Sequence, residues 1–156
     1  MGSLGFQVKQ APSRQLKQSL AGLRLAILSD TMDASVAMDT AIRDGLPVEL
    51  ALALAQSGEI DIDAMIAHNV LPRKTWESAL KSGAAVLTPA NSERFLRVAR
   101  VTALARQTFG AAKAALWLVR PTTPLGGQPP MALLATEAGA RAVEQLLGRI
   151  DHGFAA

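Results

Sequence analysis

The chain has 156 residues, a mass of 16.4 kDa and a net charge of +3, and 49% of its residues are hydrophobic. This apolar content supports a folded core and excludes a disordered tail, and the length fits one domain or two small ones. No apolar run approaches the roughly 18–20 residues that span a bilayer, and the lack of cysteine excludes disulfides and a thiolate nucleophile. We therefore expect a cytoplasmic protein without a membrane segment.

The charges are distributed unevenly along the chain. Residues 31–70 contain seven acidic residues and one basic residue, Arg43, whereas residues 71–156 contain eleven basic and five acidic residues. A basic second half indicates a polyanionic or acidic partner, although a solvated charged surface explains the pattern equally well.

The beginning of the chain combines an irregular segment with one helical pattern. Residues 1–15 are polar, contain Pro12 and show no period, which predicts a flexible arm. One face of a following helix is predicted by offsets of four, three and four between Leu16, Leu20, Leu23 and Ile27. The alternation in Leu23-Arg24-Leu25 leaves a strand as the alternative.

Short helices separated by clear stops follow this pattern. Each begins or ends at a proline, an aspartate or a glycine, which are typical of helix boundaries. The predicted spans are 33–44 ending at Gly45, 47–57 between Pro47 and Gly58, 61–68 capped by Asp61 and closed by His68, and 72–82 between Pro72 and Gly83.

The second half contains the clearest helix, at residues 89–109. Thr88 is its predicted cap, and its apolar stripe is Phe95, Val98, Val101 (or Thr102), Ala105 and Phe109. Three more helical spans are predicted at 111–119, 131–134 and, after a cap at Thr136, 137–150. Because aromatic residues are only 4% and β-branched runs are absent, the predicted fold is all-α. We divide the chain into an N-terminal arm (1–30), a helix-turn-helix unit (31–88) and a small helical domain (89–156).

No constellation of catalytic residues is recognisable in the sequence. The two histidines, His68 and His152, have no partner at metal-ligand spacing, and no serine lies in a nucleophile elbow. Gly126-Gly127 lacks the lysine and hydroxyl residue of a phosphate-binding loop. The sequence therefore predicts a protein that is not an enzyme and needs no metal or cofactor.

The predicted helices 61–68 and 72–82 have helix-turn-helix spacing, with residues 68–71 as the turn. In such a unit the start of the second helix reaches base edges, which predicts DNA contacts by Arg73, Lys74 and Thr75 and a phosphate contact by Lys81. The alternative is an ordinary helical hairpin in which Trp76 and Leu80 fill a core. Glu77 would repel phosphate.

The rear of the chain offers a second candidate surface. Its large apolar residues around a tight turn are Trp117, Leu118, Pro121, Leu125 and Met131. These residues form either the core of a small helical module or, in part, a surface that binds a partner. Phe154 favours the second interpretation, because an aromatic side chain in a flexible tail is typical of a residue that binds a partner.

Many positions of the second half follow one another in a characteristic order with few gaps. They are residues 92–94, 97–101, Phe109-Gly110, Ala114, Trp117-Leu118, Pro121, 124–127, Pro130, Leu133-Leu134, 136–140, Val143, 147–150 and His152-Gly153. This order resembles the toxin-binding domain of the MbcA/ParS/Xre antitoxins. The segment from Gly45 to Thr88 is similar to the helix-turn-helix that precedes that domain in the family.

The resemblance implies the antitoxin of a bacterial type II toxin–antitoxin pair. Its partner would be a RES-type toxin of ADP-ribosyltransferase-like fold that consumes NAD, and its helix-turn-helix would bind and repress the operon's own promoter. The resemblance also implies self-association into a homodimer and a larger hetero-oligomer with toxin. In this family the C-terminal end covers the NAD cleft of the toxin.

In this chain the resemblance assigns the covering of the NAD cleft to the last helix, the tail and one turn. The toxin-binding residues implied by the resemblance are Leu125, Gly126, Gly127, Arg149, Ile150, His152, Gly153 and Phe154. Because a cleft for an anionic dinucleotide is expected to be basic, at least one acid among Glu137, Glu144 and Asp151 is expected to pair across the interface, and Glu144 joins the predicted contacts.

One departure from the family concerns the second helix of the helix-turn-helix. Members often carry one or two arginines just after the position of Thr75, where this chain has Ser78 and Ala79. Fewer phosphate contacts weaken DNA binding. Two alternatives stay open: a stand-alone transcriptional regulator whose C-terminal domain only dimerises, and a scaffold for another protein.

Overall fold

The computed structural model describes residues 13–83 and 85–153. Within these ranges nine α-helices and one 3-10 turn follow one another without a β-strand, which confirms the predicted all-α fold. They are α1 (Arg14–Ile27), α2 (Met32–Asp44), α3 (Val48–Gln56), α4 (Ile62–Ala67), α5 (Arg73–Lys81), α6 (Pro89–Phe109), α7 (Ala111–Leu118), the 3-10 turn (Thr123–Leu125), α8 (Pro130–Leu133) and α9 (Glu137–Asp151). None of these helices has the length and apolarity to cross a bilayer.

Side-chain caps mark the starts of five helices. The side chain of each N-cap residue accepts a hydrogen bond from the backbone N–H three residues later, which satisfies a free donor of the helix. The capping residues are Ser13, Thr31, Asp61, Thr88 and Thr136. The predicted caps Asp61, Thr88 and Thr136 are thus confirmed, while Pro47 and Pro72 stand at the N-cap positions of α3 and α5.

Helix α1 joins the core through the face predicted from its leucine spacing, so the strand alternative is wrong. The buried or half-buried side chains of that face are Leu16, Leu20, Leu23 and Ile27. Arg24 also holds the helix, because its Nε and Nη2 atoms each lie 2.8 Å from a carboxylate oxygen of Glu59. Helix α1 falls within the range 1–30 and packs against α2, α3 and α6, whereas most of the arm predicted over 1–15 lies outside the described residues.

Helix α6 runs through the middle of the fold and contacts α1, α2, α7 and α9. The buried members of its predicted apolar stripe are Phe95, Val98, Val101 and Ala105. The ring of Phe95 lies 5.5 Å from that of Trp76 on α5. The ring of Phe109, at the other end of α6, lies 5.2 Å from that of Trp117 on α7. The two aromatic contacts therefore attach α6 to both halves of the chain.

Buried hydrogen bonds hold the start of α6 against the turn between α2 and α3. The hydroxyl of Ser92 is buried, accepts a hydrogen bond from the N–H of Leu46 at 2.7 Å and donates to the carbonyl of Leu87 at 3.4 Å. The N–H of Leu87 donates to the carbonyl of Leu46 at 2.8 Å. Gly45 permits this approach, because a Cβ atom there would lie 2.5 Å from the Leu87 oxygen and its φ of +88° is unfavourable for other residues.

Helix α9 begins with a second close contact that requires glycine. A Cβ atom at Gly139 would overlap the carbonyl oxygen of Leu133, the last residue of α8. Because this oxygen belongs to the backbone, relief requires α8 and α9 to move apart. Gly148 lies on the same helix, and a Cβ atom there would meet nothing within 4 Å.

We expect Gly139→Ala to lower the free energy of unfolding by about 2 kcal/mol, within the range of overpacked sites. The matched change Gly148→Ala should instead raise it by about 0.5–1 kcal/mol, because alanine loses less chain entropy in a helix. Urea unfolding followed by circular dichroism measures both values. Equal unfolding midpoints for Gly139→Ala and the wild type would contradict the close contact.

Candidate functional site

Helices α4 and α5 form a compact helix-turn-helix. His68 ends α4 as predicted, and Asn69 adopts a left-handed conformation with a φ of 59°, which asparagine tolerates better than most residues. The N–H groups of Val70 and Leu71 donate to the carbonyl of Met65 at 2.8 and 3.2 Å, and both side chains are buried. The turn is therefore held by backbone and side chains alike, which fixes the direction of α5.

Helix α5 has one face in the core and one face in solvent. Trp76 is buried and Leu80 is half-buried, so the core-filling role considered as an alternative is real. The exposed face carries Arg73, Lys74, Glu77, Ser78 and Lys81. Of the predicted DNA contacts, only Thr75 is half-buried. The two interpretations are compatible because they use opposite faces of one helix.

The cations of α5 are available to an anionic partner. Arg73, Lys74 and Lys81 form no ion pair with any residue in the described ranges. Lys74 and Lys81 border a shallow depression together with Glu77 and Ser78. The carboxylate of Glu77 weakens the positive potential of this face, as expected from the sequence.

A network of ion pairs clamps α9 onto α6. Arg97 is only 7% exposed, and its guanidinium contacts Glu93 at 2.9 Å and Glu137 at 3.2 Å and donates to the carbonyl of Leu134 at 3.1 Å. Arg100 contacts Glu137 at 3.1 Å and Glu144 at 2.6 Å. Each nitrogen of the buried guanidinium thus donates one hydrogen bond, and the acceptors lie on α6, on α9 and directly after α8.

The network shifts the pKa values of its members in opposite directions. Burial alone would raise the pKa of Glu137, but the nearby Arg100 and Arg97 outweigh it and hold that pKa below its ordinary value of 4.5. Burial alone would lower the pKa of Arg100, but Glu144 and Glu137 outweigh it and raise that pKa. The charged forms of both partners are therefore favoured in the folded chain.

These contacts engage part of the charge of the second half within the chain. Arg97 and Arg100 are two of its eleven basic residues, and both are neutralised within the chain. Glu144, a predicted toxin contact, pairs with Arg100, and Glu137 pairs with both arginines. Asp151 is exposed and forms no ion pair among the residues that the structure describes, so it is the acid of this group with a free charge.

The predicted turn at Leu125-Gly126-Gly127 is a closed loop next to α9. The N–H groups of Gly127 and Thr122 donate to the carbonyls of Thr122 and Gln128 at 3.1 and 3.2 Å, which closes the loop. Leu125 is half-buried against the core, whereas both glycines are exposed and have positive φ angles of 70° and 78°. The 3-10 turn within the loop contacts α9, so two of the predicted contact regions are neighbours.

The end of α9 projects the remaining predicted contacts. Arg149, His152 and Gly153 are exposed, and Ile150 is half-buried. The N–H of His152 donates to the carbonyl of Gly148 at 3.0 Å, and Gly153 turns the chain with a φ of 74°. Phe154 lies outside the described residues.

One exposed surface was not identified from the sequence. Leu116 and Val119 of the α7 region are 59% and 39% exposed, and the exposed cations Lys113 and Arg120 lie beside them along the chain. The signal was present, because Ala112, Leu116 and Val119 have the i, i+4, i+7 spacing of a helix face. Trp117, the largest side chain of α7, obscures this pattern in the sequence, although it is half-buried against Phe109 on another face.

Two family models match the chain, one over the helix-turn-helix and the next over the region that contains α7 and α9. The antitoxin Xre-like helix-turn-helix domain matches residues 37–100, and the antitoxin Xre/MbcA/ParS C-terminal toxin-binding domain matches residues 104–153. An antitoxin Xre of Pseudomonas putida is 32% identical over 116 residues, which are 74% of this chain and 71% of that protein. The chain belongs to the Xre antitoxin family.

Two further relatives of the antitoxin match it over shorter stretches. An antitoxin Xre of Yersinia enterocolitica is 44% identical over 68 residues, or 42% of the chain and 46% of the relative. An antitoxin Xre of Photorhabdus laumondii is 41% identical over 75 residues, or 47% of the chain and 51% of the relative. The antitoxin thus combines a helix-turn-helix with a toxin-binding domain and does not belong to a known enzyme family.

The two matched domains share one helix. The first match ends at residue 100 and the second begins at residue 104, both within α6. All four predicted DNA contacts lie in the first matched region. The described toxin contacts predicted from the sequence lie in the second, and Phe154 follows its last residue directly.

The ion-pair network predicts a pH dependence of stability. Because folding lowers the pKa of Glu137, its contribution is present above pH 4.5 and is lost as the pH falls below that value. Glu137→Gln should therefore lower the free energy of unfolding by about 0.5–1 kcal/mol at pH 7, a modest value because the side chain is half exposed, and by progressively less below pH 4.5. Urea unfolding between pH 7 and 3 measures this difference. The matched change Glu77→Gln on exposed α5 should show no such trend, and identical pH profiles for both variants would contradict the role of the network.

Proposed function

We propose that the antitoxin neutralises a RES-type, NAD-consuming toxin by covering its NAD-binding cleft, and that it represses its own operon by binding the promoter. The toxin class comes from the resemblance of the second half to the MbcA/ParS/Xre toxin-binding domain. In this proposal residues 31–88 contact DNA, residues 89–156 contact the toxin, and the complex forms in the cytoplasm from antitoxin dimers. The exposed end of the firmly held helix α9 is the observation that supports it best.

The support comes from the way in which α9 is fixed. Its first turn packs on α8 at Gly139, its middle is paired with α6 through Arg100 and Glu144, and its buried side chains end at Leu147. The residues beyond Leu147 are therefore presented in one position before any partner arrives. A preorganised end loses less conformational entropy on binding, which favours a steric role for it.

One charge at this end, that of Asp151, suits a cleft that binds an anionic dinucleotide, whereas that of the exposed Arg149 does not. Such a cleft is expected to be basic, and Asp151 offers an exposed carboxylate that forms no ion pair within the described ranges. Beside it, Ile150 adds a half-buried apolar side chain, and the exposed Gly153, which has no side chain, adds backbone that a partner can approach closely. We propose that Asp151 pairs across the interface, because Glu137 and Glu144 are already occupied by arginines.

Removal of the chain after Gly148 tests the steric mechanism. The truncated antitoxin retains the buried contacts of α9, so it should fold and still bind the toxin through the rest of its second half. We expect it to leave NAD consumption by the toxin of the adjacent gene unblocked and to fail to protect cells. Circular dichroism checks the fold, and a pull-down with an NAD assay checks binding and inhibition.

A shorter truncation after Gly153 locates the covering element more closely, because it removes only the last three residues. If it inhibits as the full chain does, the covering element is 149–153; if it fails, the element includes Phe154. Phe154→Ala should then mainly raise the dissociation rate. Full protection by the folded chain that ends at Gly148 would overturn the proposed mechanism.

Promoter binding is supported by the exposed cations at the start and end of α5. Lys74→Ala removes one of them and should weaken promoter binding and flatten its salt dependence by a log–log slope of about 0.9 if the lysine contacts a phosphate. Lys113→Ala, which removes an exposed cation of α7, is the matched control and should leave the slope unchanged. Titrations at several salt concentrations measure both slopes, and equal slopes for Lys74→Ala and the wild type would contradict the contact.

The charge on α5 also bears on how repression is achieved. Helix α5 offers DNA only three cations, and the carboxylate of Glu77 lies among them. Ser78 and Ala79 add no charge, so we expect a single α5 helix to bind DNA weakly. We propose that repression depends on the toxin-bound assembly, in which several weak DNA contacts act together at high effective concentration. Equal promoter affinity of the free antitoxin and the complex at one salt concentration would refute this part.

A further inference from the structure

A small pocket lies where the helix-turn-helix meets the toxin-binding domain. It is lined by residues of α6, α7 and α8 and by residues just before α4, and its volume is about 40 Å³. One water molecule needs roughly 10–15 Å³ of such volume, and small-molecule sites measure roughly 300–1,000 Å³. The pocket therefore fits the end of a single side chain and is too small for a dinucleotide.

A buried hydroxyl in the lining of the pocket lacks a hydrogen-bond partner. Thr102 of α6 lines the pocket and is only 6% exposed, and its Oγ1 atom forms no hydrogen bond with any described residue. No other buried side-chain nitrogen or oxygen within 13–83 and 85–153 is left in this state. Because an unpaired buried hydroxyl destabilises a fold, its position in the lining indicates a hydrogen bond that an occupant of the pocket completes.

Two charged residues of opposite sign also line the pocket. Arg106 is half-buried and forms no ion pair within the described ranges. Asp61 is exposed, and its Oδ1 atom caps α4 by accepting a hydrogen bond from the N–H of Ala64 at 3.0 Å. A guanidinium only donates, a carboxylate only accepts and a hydroxyl does both. The lining therefore suits a neutral group that donates and accepts, which in proteins is a carboxamide or a hydroxyl.

Most of the remaining lining consists of apolar side chains of α7 and α8. Leu118 and Met131 are buried, whereas Ala111, Ala115 and Val119 are exposed. The three exposed residues follow one another at offsets of four, so they lie on one face of α7 and form the mouth of the pocket. An occupant of the pocket thus needs apolar atoms behind its polar end.

We propose that this pocket binds the toxin and takes one toxin side chain that ends in a carboxamide or a hydroxyl. Its lining residues on α7 and α8, together with Arg106, fall within the matched toxin-binding domain at 104–153. A free solute that fills so small a volume has few atoms with which to gain affinity, so the group that enters belongs to a larger partner. The inference rests on toxin binding by the antitoxin, but not on the covering of the NAD cleft.

Two substitutions distinguish an occupied pocket from a partner that only lies across its mouth. Ala115→Leu places a larger side chain at the mouth and should raise the dissociation constant of the toxin complex about 30-fold or more. Thr102→Val removes only the buried hydroxyl, which a partner outside the pocket does not reach, and should raise that constant about 3- to 10-fold. Isothermal titration calorimetry of the full-length antitoxin with the purified toxin of the adjacent gene measures both constants.

Each of these variants has a matched control. Ala115→Ser keeps the side chain at the mouth small, and Thr108→Val removes from α6 a hydroxyl that lies outside the pocket and donates to the carbonyl of Leu104 at 3.1 Å. Both controls should bind the toxin as the wild type does, and circular dichroism should show all four variants folded. Because the hydroxyl of Thr102 has no partner within the described chain, valine there should not lower the urea midpoint.

The possible results separate this inference from the proposed function. Wild-type toxin affinity of Ala115→Leu or of Thr102→Val would overturn the inference, because it would show that the mouth stays free or that nothing reaches the hydroxyl. A lower urea midpoint of Thr102→Val would overturn it as well, since the hydroxyl would then have a partner within the chain. A wild type that does not bind this toxin would overturn both the inference and the proposed function. Binding that depends on the pocket while NAD consumption continues would overturn the cleft proposal alone.

Discussion

Burial of one stripe of α6 against both halves of the chain is the constraint on which the other features depend. Phe95 and Val98 are fully buried, and Phe95 packs on Trp76 beneath the exposed face of α5. Further along the same helix, the Phe109 ring packs on Trp117. The helix-turn-helix and the toxin-binding domain therefore share one core in the described chain, and both α5 and α9 are positioned by the stretch of α6 that carries Phe95, Arg97 and Arg100.

Ion pairs between α6 and α9 fix the orientation of α9 on this apolar core. Arg97 would be costly to bury alone, but two carboxylates and one carbonyl surround its guanidinium, so its charge is compensated where α6, α8 and α9 meet. Through Arg100 and Glu144 the same side of α6 orients the middle of α9. The network engages two bases and three acids of the second half, so its nine other basic residues stand against only Glu77 and Asp151, and the second half stays basic outside the network.

Local signals in the sequence predict the helices of this fold well. They do not indicate contacts between residues that are far apart in the chain. Caps such as Asp61, Thr88 and Thr136 act within four residues, so the pattern of the chain contains them completely. The pairing of Arg97 with Glu137 joins residues 40 positions apart, and spacing along one helix cannot indicate it. For this reason the sequence does not indicate that Glu144, a predicted toxin contact, pairs with Arg100 within the chain. The exposure of Leu25 on α1 and of Met32 and Val36 on α2 is not indicated by the sequence for a similar reason, because the pattern of one helix does not tell which neighbours cover it.

The shared helix also limits how the length of this antitoxin can vary. The two matched domains meet between residues 100 and 104, inside α6 and not in a loop. Insertion of one residue there would rotate everything beyond it by about 100° and advance it by about 1.5 Å, which would break the ion pairs with α9 and turn its end in a new direction. Insertions or deletions that preserve the geometry must come close to whole helical turns. Exchange of toxin-binding halves between relatives is subject to the same requirement of helical phase, whereas single substitutions along the exposed faces are not.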